Sequence, residues 1–422
     1  MTGYSGADHT AETFTLLERN LSPHRAAAYR AMGGVPAQAG GAGAEIHTYD
    51  GRVLLDCRSA GGVFDFGHRP PSITAALRDA LESRDIGDWM LPSLPRGRAA
   101  AALACLLPET LPYSFFTASG SEAIEFAGKL ARLATGRRGV VCAERAYHGQ
   151  VGLALAMSEG PGPSAREQDV VRVPFGDIDA LRAAVGEDTA LVCLETIPAS
   201  AGVVLPPDGY LAEVRRRCDE SGALLLLDEV QSGLGRTGRI WAAEHWDVRP
   251  DLLVTGKGLS GGVYPVAACS FTEEIQRSLA DDPFFHPSSF GGGELAAAVV
   301  CAVVEQVSRP GLLDQVRATA AVLRTGLAEV VGRHPSVLAE VRGLGLMLAL
   351  ETRDEHGGLA LMRAAIDHGV LATVAHNAPS TLLVMPPLII TPAQAGAVIE
   401  RLDSAARTVA TGSTGPALRL PI

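Results

Sequence analysis

Ala223-Leu224-Leu225-Leu226-Leu227-Asp228-Glu229-Val230-Gln231 and, a little further along, Leu252-Leu253-Val254-Thr255-Gly256-Lys257-Gly258 decide how this chain folds. Each opens with a short run that is apolar at nearly every position. Such a run has no wet face and reads as a strand buried on both sides. Each run then stops on polar chemistry, two acids in the first case and a lysine between glycines in the second. Ligands of open α/β sheets bind just beyond the carboxyl ends of the strands. Asp228, Glu229 and Lys257 therefore stand where functional groups are expected.

Composition singles out the lysine. The chain has 36 basic residues, of which only Lys129 and Lys257 are lysine. Where any positive charge will do, this chain uses arginine. Arginine stays protonated and cannot form an imine, whereas a buried lysine amine can lose its proton and attack a carbonyl. Lys129 falls on a helix and needs no role beyond a surface charge.

The same alternation continues outward. Strands are expected at Gly139 to Cys142, Ala190 to Leu194 and Val263 to Ser270. Helices are expected from Ser121 to Thr135, Tyr210 to Ser221 and Leu295 to Ser308. Apolar strands interleaved with helices imply a mainly parallel sheet. After Pro310 the order becomes helix, strand, helix, strand, helix, the pattern of a smaller α+β domain. Near the start, His47-Thr48-Tyr49 and Val53-Leu54-Leu55 flank an Asp50-Gly51 turn and read as a hairpin. Pro70-Pro71-Ser72 starts an amphipathic helix to about Ser83. Residues 1 to 45 read as a wrapped arm and not as a folded unit.

Bulk properties narrow the function. With 422 residues, 47% hydrophobic and 20% charged, the chain is long enough for two domains and typical of a globular protein. A net charge of -11 argues against nucleic-acid or anionic-membrane surfaces. No secretion signal is expected from the polar start, and the apolar runs are strand-length. The seven scattered cysteines suit free thiols in a reducing cytoplasm. No zinc pattern stands out among the isolated histidines.

Three further clusters carry chemistry. Thr117-Ala118-Ser119-Gly120-Ser121-Glu122-Ala123 opens a helix with small residues, and the free N–H groups there suit a phosphate, although an ordinary capped helix reads the same way. Tyr147-His148-Gly149 follows a strand and offers an aromatic to stack on a flat cofactor, or plain packing. Gly233-Leu234-Gly235-Arg236-Thr237-Gly238 matches the dinucleotide fingerprint literally. It lies five residues past its strand, however, and the long apolar helix of a dinucleotide site does not follow.

Taken in chain order, these pieces resemble the class III (ornithine/GABA-type) aminotransferases of pyridoxal-phosphate fold type I. The likeness rests on Ser119 to Ala123, Tyr147-His148-Gly149, Leu194-Glu195, Asp228 to Gly238, Thr255 to Gly258, Phe290-Gly291-Gly292, Arg342 to Leu346 and Pro386-Pro387-Leu388, and it spans about residues 45 to 405. The resemblance implies an α/β fold with a large, mainly parallel-sheet domain and a smaller α+β domain. Residues 1–70 would form an arm and part of the small domain, 71–310 the large cofactor-binding domain, 311–412 the C-terminal small domain and 413–422 a flexible tail.

It also implies roles. Lys257 would hold pyridoxal 5'-phosphate as a Schiff base and shuttle a proton, and Asp228 would keep the ring nitrogen protonated. Gln231 would bond the ring hydroxyl, Val230 and Tyr147 would sandwich the ring with His148 beside it, and Gly120 and Ser121 would bind the phosphate. Glu195 would stand at the substrate face. Ser289 occupies the place of a threonine that reaches the neighbouring subunit's phosphate, which implies a homodimer with shared active sites. No metal is expected.

The implied reaction moves an amino group between an unusual amine or amino-acid donor and an oxo acceptor, with specialised metabolism as the expected setting. The alternative on the same scaffold is decarboxylation, elimination or carbon–carbon bond formation through a quinonoid. Two departures motivate both readings. Relatives place carboxylate-binding arginines where this chain has Leu383 and Gln150, and neither side chain replaces a bidentate arginine. Arg145 or Arg58 could substitute. Trp89 and Met90 fall in a segment that lines the neighbouring subunit's pocket in relatives.

Overall fold

The computed structural model describes residues 6–32, 35–159 and 168–412. Its centre is a seven-stranded sheet in the order Tyr113–Thr117, Ala267–Phe271, Leu252–Thr255, Leu224–Asp228, Thr189–Glu195, Gly139–Ala143, Val170–Val173. Every pairing from Leu252–Thr255 to Val170–Val173 is parallel, and only Ala267–Phe271 runs against its neighbours. The large domain is thus the α/β sheet that the apolar runs imply.

Period-two alternation explains why these strands have no polar face. Leu225 and Leu227 pack with Leu211, Val214 and Cys218 of helix Tyr210–Ser221. Leu226 faces the other way, toward Ala123, Phe126 and Leu130 of helix Gly120–Thr135. Two separate cores therefore sandwich one sheet, and each strand must be apolar on both sides.

Two four-stranded sheets complete the fold. Leu338–Leu344, Met347–Thr352, Ala378–Val384 and Thr373–Ala375 form an antiparallel one. Its first hairpin turns at Gly345, with φ +58, where an added Cβ would lie 2.5 Å from the Thr237 carbonyl carbon. The glycine-rich stretch that mimics a dinucleotide loop is thus a packing surface for this turn. The other sheet joins Gln38–Ala42, Glu45–Thr48 and Val53–Asp56 to Val370–Leu371, the last pair parallel. The beginning and the end of the chain are stitched together there.

Some expectations change. The segment before residue 45, with its possible helix and Gly/Ala-rich run expected to wrap as an arm, carries more regular structure than that. It holds helices Gly6–Leu16 and Pro23–Ala31 and the strand Gln38–Ala42. The strand can form because Gly41 passes so close to His68 that a Cβ would meet the ring at 2.8 Å. The strand expected from Val263 begins only at Ala267. Gly261 and Gly262, at φ +55 and +71, first turn the chain back so that this strand runs antiparallel. The expected flexible tail, 413–422, lies outside the described residues.

Candidate active site

The parallel register sets the site. Glu195 pairs directly with Asp228, and Asp228 pairs with Val254, three residues before Lys257. Glu195 and Asp228 are the last residues of their strands. Three neighbouring carboxyl ends thus deliver two buried acids and one amine to the same place.

Asp228 is held on both oxygens. One accepts from the Val230 N–H at 3.0 Å, and the other lies 2.8 Å from Nδ1 of His148. Burial works against a charged imidazole at His148, but the Cys193 sulfur beside the ring and the Asp228 carboxylate outweigh it and raise its pKa well above the usual value. The Asp228 carboxyl thus has the His148 imidazole behind it, leaving its outward side for another positive group. Its neighbour Glu229 is consumed by structure. It accepts from Thr196 Oγ1, Ser232 Oγ and the Ala242 and Ala243 N–H groups. Glu195 accepts the Tyr147 N–H and the Ser200 hydroxyl, both at 3.0 Å, and burial raises its pKa.

Lys257 donates from Nζ to Gln231 Oε1 at 2.7 Å. Burial lowers its pKa, against the pull of Glu195, Asp228 and Asp65, while the charge of Arg58 lowers it further. Its backbone is left-handed, φ 42. That conformation is strained for a long side chain, and such strain clusters at functional sites.

The helix start forms the third side. Ser119 caps helix Gly120–Thr135 by accepting the Glu122 N–H, and Glu122 answers by accepting the Ala118 N–H at 2.9 Å. The next amides, of Gly120 and Ser121, are the orphan donors of a helix N-terminus. The Ser121 hydroxyl accepts from the Gln150 N–H, so its own proton is free to donate. Gly149 passes so close that a Cβ there would sit 2.3 Å from Ser121 Oγ.

These groups enclose a cavity of about 200 Å³, lined among others by Ser121, Tyr147, Glu195, Asp228, Val230 and Lys257. Phosphate donors, an apolar wall at Val230, an aromatic at Tyr147, a buried acid and an amine of lowered pKa fit one kind of guest. It is a flat, protonated aromatic aldehyde carrying a phosphate, which is pyridoxal phosphate. Tyr147, Gln231 and Lys257 also line a second cavity of about 920 Å³. The lysine amine thus stands where a small slot meets a large chamber.

Of the residues singled out in the sequence, Gly120, Ser121, Tyr147, His148, Glu195, Asp228, Val230, Gln231 and Lys257 meet at this slot. Ser289 does not. It is exposed, next to Phe290, and lines neither cavity. Arg145 is engaged elsewhere, donating to the Asn377 carbonyl at 2.7 and 2.9 Å. Sequence reading missed Ser158, whose hydroxyl accepts the His148 and Gly149 N–H groups, and Met385, whose sulfur accepts from Gln231 Nε2. It also missed the buried ion pair of Asp65 with Arg236. An acid between two phenylalanines, Phe64-Asp65-Phe66, was the available signal.

Comparison with known proteins gives a consistent result. The family model described as Aminotransferase class-III matches residues 35–406. An uncharacterised aminotransferase of Archaeoglobus fulgidus is 41% identical over 408 residues, 96% of each chain. A putrescine aminotransferase of Pectobacterium atrosepticum is 37% identical over 381 residues, 87% of this chain and 81% of its own. Among solved structures, an ornithine aminotransferase of Toxoplasma gondii superposes with a TM-score of 0.83 at 26% identity, over 93% of this chain and 97% of that one. A transaminase from the marine bacterium Virgibacillus shares the fold, with a TM-score of 0.88 at 23% identity over 96% and 100% of the chains.

The Asp65–Arg236 pair offers a stability test. Arg236 is fully buried and also donates to the Leu346 carbonyl at 3.2 Å. Arg236→Met strands a buried carboxylate, at a cost of about 3–5 kcal/mol. A clearly lower urea midpoint is expected. Pairing it with Asp65→Leu should restore most of the loss, because an apolar pair of similar volume needs no compensation. A single variant as stable as the parent would refute this role.

Proposed function

The chain belongs to the class-III aminotransferase family and is a pyridoxal-phosphate-dependent aminotransferase, and on that premise we propose which residues run the reaction and which amine it takes. The observation that carries the proposal is the position of the Lys257 amine, shared by the small slot and the large chamber.

In this reading Lys257 holds the cofactor through its aldehyde carbon. Bound pyridoxal phosphate supplies an electron sink that weakens the C–H bond beside the substrate nitrogen. The Gly120 and Ser121 amides and the Ser121 hydroxyl receive the phosphate. Asp228, backed by His148, would hold the proton on the ring nitrogen. Gln231 bonds the ring hydroxyl, and Val230 and Tyr147 cover the ring faces. With the cofactor bound, Lys257 Nζ would take a proton from the substrate carbon and later give one back. Its lowered pKa supports this, since a neutral amine is the form that accepts. Glu195 bounds the substrate side.

Reduction of the holoenzyme with borohydride and peptide mapping should place the label on Lys257, and a label elsewhere would sink the assignment. Asp228→Ala should still trap at Lys257 but lose roughly a thousandfold in kcat, equivalent to ~4 kcal/mol of barrier. Retained turnover would remove Asp228 from its role.

The donor we propose is a primary amine with no carboxylate at its far end. Leu383 and Gln150 are neutral, and Leu155, Leu359, Met362 and Val374 give the chamber apolar walls. A related chain is a putrescine aminotransferase, which supports this reading. The direct test compares 1,4-diaminobutane with ornithine, which differ by one carboxylate. A kcat/KM at least about tenfold higher for the diamine is expected, and a preference for ornithine would overturn the proposal.

We also propose a homodimer. Support comes from an exposed apolar patch at Trp89, Met90, Leu91, Leu94, Phe284 and Phe290, with Ser289 beside it. Trp89 and Phe284 meet edge to face at 5.9 Å. Unpaired patches of this kind mark interfaces. Wild type should sediment as a dimer, and Phe290→Asp should shift it to monomer and weaken cofactor retention. A wild-type monomer with full cofactor content would count decisively against a shared site. Seven free cysteines, five of them buried, support a reducing compartment such as the cytoplasm, and quantitative thiol titration of protein isolated from its native cell tests this.

A further inference from the structure

We propose that Arg58 is the carboxylate-binding residue of the large chamber, and that the acceptor it selects is a 2-oxo acid. This rests on the reading of Lys257 Nζ as the reaction centre and adds the acceptor to it.

An amine donor without a carboxylate leaves open how an acidic acceptor is held, because Leu383 and Gln150 cannot hold it. Arg145 is spent on the Asn377 carbonyl, with a further contact to the Ala201 carbonyl at 3.5 Å. Arg58 is different. It lines the chamber together with Lys257, and among the described residues its guanidinium meets no hydrogen-bond acceptor and no acid. A guanidinium presents a fixed fork of donors that matches a carboxylate.

The loop that carries Arg58 is locked in place. Asp56 accepts the Arg58 and Ser59 N–H groups at 2.9 and 2.7 Å through one oxygen, and its other oxygen meets His68 Nε2 at 2.9 Å. The Ser59 hydroxyl donates to the Met385 carbonyl at 2.8 Å. Ser59, Ala60, Gly61 and Gly62 then run left-handed, with φ of 46, 47, 73 and 107. Backbone in this region is costly for Ser59 and Ala60 and is kept where surrounding contacts over-determine it.

This curl brings the chain against the reaction centre. A Cβ on Gly61 would lie 3.4 Å from Lys257 Nζ and 3.5 Å from Gln231 Nε2. Arg58 therefore enters the chamber only three residues from a point of contact with the amine. Its charge is felt at Lys257, whose pKa it helps to lower. Arg58 and Lys257 share one chamber, so a carboxylate held by Arg58 suits an acceptor that carries its acid beside its carbonyl, as a 2-oxo acid does. A distal carboxylate, as in ornithine reacting at its side-chain amine, has no such partner. The net exchange is amine plus 2-oxo acid to aldehyde plus α-amino acid. Arg25 also lines the chamber, from the N-terminal helix Pro23–Ala31, and is the rival anchor.

The test uses holoenzyme of wild type, Arg58→Gln and Arg25→Gln. Pyruvate is compared with propanal, which keeps the chain length and lacks the charge. Binding of oxamate, an unreactive mimic of pyruvate, is measured by calorimetry. In Arg58→Gln the pyruvate-to-propanal ratio of kcat/KM should fall about thirtyfold and oxamate should bind at least about tenfold more weakly, the size of one charge-assisted contact. Wild type without a preference for pyruvate, an Arg58→Gln variant within about threefold of wild type on both readouts, or loss of the preference in Arg25→Gln alone would each overturn the proposal. Should Arg58→Gln not fold, Arg58→Met is read by the same criteria. Borohydride labelling separates the two layers. Label on Lys257 together with a pyruvate preference that does not depend on Arg58 defeats only this inference, whereas label elsewhere defeats the reading of the site beneath it.

Discussion

Everything at this site depends on the register between three parallel strands. Parallel pairing sets Glu195 beside Asp228, and Asp228 beside a residue three positions short of Lys257. A slip of one residue would turn each side chain to the opposite face of the sheet. Asp228 would then point into a core made of leucine, and a leucine would face the slot. Such a slip is prevented by the two apolar cores, which interlock with Leu225 and Leu227 on one side and Leu226 on the other. The hydrophobic packing that stabilises the protein is also what positions its charges.

The charges themselves are divided by their surroundings. Asp228 and Glu229 are neighbours in sequence and both are buried, yet their environments differ completely. Glu229 is surrounded by hydroxyl and amide donors that tie it to the start of the 3-10 helix Ala242–His245. Asp228 has one donor from the backbone and the His148 imidazole nitrogen beside its other oxygen, with open space on the remaining side. The same functional group serves as a structural tie in one place and as an electrostatic partner for a cofactor in the next. On the amine side, desolvation and the nearby guanidinium of Arg58 both favour neutral Lys257, while three acids oppose them.

Much of this was legible in the sequence because it is local. The apolar strands, the helix start at Ser119 and the lysine after Thr255 are each written in fewer than ten consecutive residues, and their joint order carried the family. The small-sheet hairpin was legible from its Asp50-Gly51 turn. What was not legible depends on residues far apart. Nothing near Arg236 announces that Asp65 will neutralise it, nor does anything near Ser59 announce the Met385 carbonyl. Arg145 and Arg58 look alike as letters. Only the fold shows one holding a loop and the other entering a chamber. The strand Gln38–Ala42 is not legible because Gly40-Gly41-Ala42 lacks strand propensity, while close approach to His68 is what admits glycine there.

The parallel pairing of Val53–Asp56 with Val370–Leu371 has a consequence for how the protein comes into being. The first strand leaves the ribosome about three hundred residues before its partner. At ~5–20 residues per second, it waits on the order of 15 to 60 seconds with one edge unpaired. The loop bearing Arg58 waits with it, since its Ser59 latch needs Met385. The cofactor slot can assemble within the early and middle chain, but the substrate side closes only as synthesis ends. The residues lining the cofactor slot are thus all made before the last walls of the chamber that it faces.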